Sequence, residues 1–171
     1  VAYDERHRIG RPPEPEVLTR GLGSTYEIMN TNIKRWSVGS PIQAPLDSLL
    51  TLIREHQIKA DDVEKLTVRV SITGANTTGD REMPDICMQH MCAVMLLDGI
   101  ATFESAHDLK RMRNPKVLAV RKRIELIGDE ALQQKLPQRQ GIVEIKLRDG
   151  RTVRHHTEAV RGTADVKRVL A

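Results

Sequence analysis

Aromatic residues are scarce: Tyr3, Tyr26, Trp36 and Phe103 are all that 171 residues contain. So few rings leave little for stacking on bases. Lys and Arg are interleaved with Asp and Glu, so the net charge of +4 and the pI of 9.3 read as a mixed, solvated surface. No nucleic-acid partner is expected. Cysteine is nearly absent too. Cys87 and Cys92 stand five apart in what reads as one helix, about 140° apart around its axis, where they can neither bridge nor share a metal ion. They are expected to be reduced core residues. The longest uncharged run, Met83 to Leu97, is broken by Asp85 and is too short to span a bilayer, and Asp4, Glu5, Arg6 and Arg8 replace an apolar signal segment. The expectation is a cytoplasmic protein with no membrane partner. Generic chemical motifs are missing as well: no phosphate-binding Walker loop, no nucleophile elbow and no paired Cys-x-x-Cys. Gly21-Leu22-Gly23 lacks the third glycine of a dinucleotide fingerprint and reads as a loop. His155 and His156, adjacent in a strand, point to opposite faces and cannot chelate together.

What is present is a globular composition, 39% hydrophobic and 29% charged. A chain of this length buries roughly two-thirds of its unfolded surface, so one domain without cross-links is feasible. Residues 1–40, with Pro12, Pro13, Pro15, Gly21 and Gly23, hold no sustained period and read as a linker or entry segment. From Pro45 the pattern firms. Leu46, Leu49, Leu50 and Ile53 predict a helix over 45–57, and Leu66, Val68, Val70 and Ile72 alternate as a strand with one buried face. Residues 74–84, with Gly74, Asn76, Gly79 and Pro84, read as an exposed loop. The run 85–97 is apolar on nearly every side and stops at Asp98-Gly99, where glycine can take the left-handed position, so it should be the central buried helix. Short helices at Phe103-Glu104 and 115–120, a strand over 123–127 and a weak helix over 129–136 follow.

Parity settles the final pair of strands. Val143, Ile145 and Leu147 share a face, as do Val153 and His155. A two-residue turn would bury the wrong residues, whereas a loop of Arg148-Asp149-Gly150 sets Ile145 opposite Val153 and puts Gly150 at positive φ. The fold class expected is α+β, a small mostly antiparallel sheet packed on helices. His90 shares a helical stripe with Ile86, Ala93 and Leu97. It is either a hydrogen-bonded core histidine or a site residue. Lys34 taken alone is an ordinary surface lysine.

Ile33-Lys34-Arg35-Trp36, followed ten residues later by Leu46-Asp47-Ser48, resembles the Lys-x-aromatic … hydrophobic-Asp-Ala pattern of the MmgE/PrpD family. The strand 63–70, the helix 93–99 and the segment 143–152 line up with that family's C-terminal domain in the same order. The resemblance covers roughly residues 20–162. It implies a family that includes 2-methylcitrate dehydratase, cis-aconitate decarboxylase and iminodisuccinate epimerase, whose active site lies between a large helical N-terminal domain and a smaller α+β lid. The chain is then expected to be the lid, residues 41–162, with 163–171 as a tail and the helical N-terminal domain as its missing partner. The implied activity is that of a lyase, a dehydratase of small di- or tricarboxylates such as 2-methylcitrate, with no cofactor and no metal, working as a homodimer. A stand-alone binding module of the same fold is the alternative. Carried over by position, Lys34 matches the family's active-site lysine. His90 falls where many members have a substrate-facing Tyr, and Gln43 where many have a His. Lys34 and His90 are thus the implied catalytic residues and Gln43 an implied substrate-binding residue.

Overall fold

The computed structural model describes residues 15–24, 26, 31–160 and 162. The expected tail and the Pro12-Pro13 stretch lie outside the described residues. Two compact units divide the chain, Val1–Thr31 and Asn32–Ala171. In the first, a short 3-10 turn at Pro15–Leu18 leads into tight turns in which Gly21 and Gly23 take positive φ. The rest of the description concerns the second unit.

The first long helix, α1 (Ser40–His56), starts five residues before the sequence suggests, because Pro41 rather than Pro45 occupies its first turn. A proline is tolerated there since its missing N–H would have had no helical partner. The helix ends at Gln57 in the left-handed conformation. Strand β1 (Val63–Ser71) buries Leu66, Val68 and Val70 on one face, as the alternation predicts.

The next segment departs from expectation. Residues 74–84 are not all loop, because α2 (Ile72–Thr78) forms directly from the end of β1. Ser71 Oγ accepts the Gly74 N–H at 3.1 Å, and the Thr77 and Thr78 hydroxyls donate to the carbonyls one turn back. Capping by Ser therefore supports a helix whose Thr, Gly and Asn residues have poor propensity. Helix α3 (Met88–Asp98) is buried from Met88 through Leu96, and Gly99 closes it at φ 72°. Its start is three residues later than expected, so Cys87 precedes the helix. Helices α4 (Phe103–His107) and α5 (Pro115–Arg121) lead to β2 (Ile124–Asp129) and the one-turn α6 (Glu130–Gln133). Strands β3 (Gly141–Leu147) and β4 (Thr152–Thr157) finish the unit.

Among the described residues the strands make one sheet in the order β2-β1-β3-β4. Strands β1 and β2 pair in parallel, and the other two pairings are antiparallel. Ile145 pairs with Val153, the Leu147 N–H donates to the Arg151 carbonyl at 2.8 Å, and Gly150 sits at φ 90°, which is the three-residue hairpin read from parity. Helices α1 and α3 cover one face of this sheet. Leu46, Leu49, Met91 and Met95 meet Leu66, Val68, Val143 and Ile145 in one core. The class is α+β, as expected. No helix among the described residues is long and apolar enough to cross a membrane.

Candidate functional site

Residues 32–39 run across the surface before α1 begins. The Ile33 N–H donates to the Gly162 carbonyl at 2.8 Å, while Trp36 and Val38 turn inward and are nearly covered. Lys34 and Arg35, before Trp36, and Ser37, between Trp36 and Val38, are exposed. The segment thus presents a short cationic edge on buried apolar posts.

Two residues of α1 fix that edge. Gln43 and Asp47 are one turn apart and lie on the same face of the helix. Gln43 accepts the Trp36 N–H at 3.2 Å and donates to the Trp36 and Val38 carbonyls at 2.8 and 3.2 Å. Asp47 Oδ1 accepts from the Trp36 indole N–H and from the Arg35 guanidinium, both at 3.2 Å. That guanidinium lies 4.5 Å over the indole ring, a cation–π arrangement. Asp47 Oδ2 is buried with no polar partner among the described residues.

Lys34 Nζ donates to the same Val38 carbonyl that Gln43 holds, at 3.1 Å. It lines a depression of about 480 Å³ formed by the 34–39 segment together with Asp85, Ile86 and His107. The Gly39 N–H, donating to the Asp85 carbonyl at 2.9 Å, ties the 34–39 segment to the chain at residue 85. An ammonium has three N–H donors. One is satisfied by Val38, which leaves capacity for an anion entering the depression.

A second, larger depression of about 740 Å³ is bounded by Arg81, Lys110, Arg113 and Arg121. Size alone does not favour it. Arg121 is paired with Asp80 at 3.3 Å, and Arg81 is spent on the Thr77 and Asn76 carbonyls. Among the described residues no group of three His, Cys, Asp or Glu side chains could hold a metal ion.

The three residues singled out by sequence are placed differently. Lys34 and Gln43 converge on one carbonyl oxygen. Gln43, 3% exposed, has its amide engaged with the backbone of the segment rather than aimed into the depression. His90 is fully covered on α3 and does not line the Lys34 depression. Among the described residues neither of its ring nitrogens has a hydrogen-bond partner. Burial, then the Arg121 and Arg111 charges, lower its pKa to about 4 against a smaller opposing effect of Asp108. The imidazole is therefore neutral at ordinary pH. Arg111 and Arg121 belong to a stretch, residues 109–123, that carries seven Lys and Arg without one acidic residue.

Sequence reading passed over His107 and the clamp made by Asp47. Asp47 was visible as a helix-start residue one turn from Gln43, but its bond to Trp36 Nε1 depends on how the preceding segment folds back. No local signal marks His107.

The sequence profile of the MmgE/PrpD C-terminal domain matches residues 36–169. Among curated proteins none matches the chain. Lys34 lies just before the matched span, so its role is argued from geometry and from the motif rather than from that match.

Proposed function

Since the chain belongs to the MmgE/PrpD family through its C-terminal domain, we propose that it is the lid of a carbon–oxygen lyase, a 2-methylcitrate dehydratase-like enzyme acting on small di- or tricarboxylates without a metal cofactor. A helical N-terminal domain of the same protein closes over the Lys34 depression, and the enzyme works as a homodimer. One observation carries this reading: an ammonium held at the mouth of an open depression by a segment stapled to α1.

The chemistry asks for such a group. Taking a proton from carbon next to a carboxylate builds negative charge on that carboxylate, and a fixed cation lowers the cost of that charge. Lys34 supplies the cation. Gln43 and Asp47 act through the segment, holding the Trp36 and Val38 backbone and the Arg35 head so that Lys34 starts from a defined place. In this proposal Gln43 is a positioning residue rather than a substrate contact.

The test uses Trp36, the only tryptophan of the chain and a wall of the depression. Citrate or tricarballylate should change its emission saturably, and Lys34→Ala should abolish that response. In the complete gene product, assayed against a carboxylate panel, Lys34→Ala should cut kcat/KM about a hundredfold or more with an unchanged melting temperature. Normal turnover by that variant defeats the reading. One observation favours the alternative, a carboxylate-binding module without catalysis: His90 and Gln43, two of the three implied site residues, face inward. Binding of carboxylates by a complete gene product that releases no water from any of them would select it.

A further inference from the structure

Resting on the lyase reading, we infer that His107 is the proton-transfer residue of the Lys34 depression, working through its Nε2.

His107 lies on α4, a one-turn helix of five residues. So short a helix is marginal by itself. A reciprocal cap holds it, with the Ser105 N–H donating to Thr102 Oγ1 at 3.1 Å and the Thr102 N–H to Ser105 Oγ at 2.9 Å. On this turn the His107 ring is restrained twice. It stacks on Phe103 with centroids 4.3 Å apart, and its Nδ1 lies 2.7 Å from the Phe103 carbonyl oxygen.

The second restraint also fixes the tautomer. A carbonyl oxygen only accepts, so Nδ1 carries the proton, and in the neutral ring the lone pair is on Nε2. An orienting hydrogen bond on one nitrogen with the other left free is the arrangement of a general base. His107 lines the same depression as Lys34. A substrate carboxylate on the ammonium would bring the neighbouring carbon into the depression that His107 also lines.

The other candidates are placed worse. Asp85 also lines the depression, but a carboxylate there repels the carboxylates of the substrate. His90 is sealed in the core. His155 is tied to Ser48 and His156 to Gln140.

The step balances without any further reactant. The C–H bond beside the carboxylate breaks, its proton goes to Nε2, and the electron pair passes into the carboxylate as an enediolate facing Lys34. That pair then forms the C=C bond and expels the β-hydroxyl. The hydroxyl leaves as water with the proton His107 took, and the ring returns to neutral.

The competing role for His107 is purely structural, closing the last turn of α4. His107→Asn separates the two, because the Asn amide can still donate to the Phe103 carbonyl but cannot carry a proton. The complete gene product is assayed with the carboxylate it turns over best. His107→Asn should lower kcat about a hundredfold or more, with KM and the Trp36 response to tricarballylate changed less than about twofold. Exchange of the substrate's α-hydrogen with D2O, followed by NMR, should fall in parallel, and added imidazole should partly restore His107→Ala. Wild-type kcat in His107→Asn overturns the assignment. So does a loss of activity that follows a lowered melting temperature and is not rescued by imidazole. A wild-type protein that binds tricarballylate yet turns over no carboxylate defeats the lyase reading itself, and the role of His107 with it.

Discussion

His90 makes the protein acid-sensitive in a window that can be calculated. An unfolded chain protonates this imidazole as the pH drops below 6.5, whereas the folded chain resists until about 4. Between those values the unfolded state binds more protons, so stability declines as the pH falls. Each pH unit crossed costs about 1.4 kcal/mol, and the loss accumulates to about 3 kcal/mol before it levels off below the folded value. His90→Leu removes the titrating group at similar volume. It also removes two buried nitrogens that have no partner among the described residues, so near neutral pH the variant should be at least as stable as wild type and by up to about 2 kcal/mol more. Urea denaturation midpoints measured from about pH 7.5 to about pH 4.5 test both points. Glu104, Glu125 and Asp149 are held below the ordinary carboxylate range by hydrogen bonds and add acid sensitivity of their own. They are the same in both chains and cancel in the difference. Wild-type and His90→Leu stability curves that run parallel through this window would refute the reasoning, as would a large loss of stability in the variant at neutral pH.

Two further predictions concern packing. Strand β3 enters the core against the α1 proline, and a Cβ on Gly141 would lie 2.6 Å from Pro45 Cδ and 2.8 Å from its nitrogen; Gly141→Ala should therefore destabilise by about 2 kcal/mol or more, and an unchanged denaturation midpoint would contradict the close approach. Cys87 and Cys92 are both free and buried, and burial pushes the Cys92 thiol up to about 12. A disulfide reagent such as DTNB should find neither in the native chain and both after denaturation, so rapid native labelling would count against the core described.

Legibility in the sequence followed how local the cause is. Helix α3 was readable because its apolar residues surround the whole axis and a glycine ends it. The β3–β4 hairpin was readable because the side-chain period of two leaves one loop length that buries Ile145 and Val153 together. Helix α2 was not, since Thr, Gly and Asn resemble a loop and its cap is a serine hydroxyl at the strand end. The parallel pairing of β1 with β2 joins residues more than fifty positions apart, such as Leu66 with Ile124. Nothing local encodes that distance. In the candidate site, Lys34 came from a motif, but the inward turn of Gln43 is decided by Trp36 and Val38 entering the core, a tertiary outcome. His90 was correctly placed on the buried helix, yet spacing could not tell a substrate-facing ring from a sealed one.

Helix α1 connects these observations. Gln43 and Asp47 hold the Lys34 segment, and the next residue, Ser48, reaches the sheet: its hydroxyl lies 2.7 Å from the Thr157 hydroxyl and 3.2 Å from both the Gly141 carbonyl and His155 Nδ1. The lysine is thus referenced to the sheet through about one and a half turns of one helix. A cation mounted in this way has less freedom to lose when a carboxylate arrives, so more of the interaction energy remains for the reacting state. The mount is not free of cost, since it buries the Asp47 carboxylate with one oxygen unmet. Arg35 and the Trp36 indole offset that cost, and their placement in turn shapes the wall of the depression. His90 has no comparable route to a ligand: reaching it requires displacing the residues that seal the core. With Lys34 lining the depression and His90 inaccessible, His107 is the histidine of the described residues that the depression offers for the proposed proton transfer.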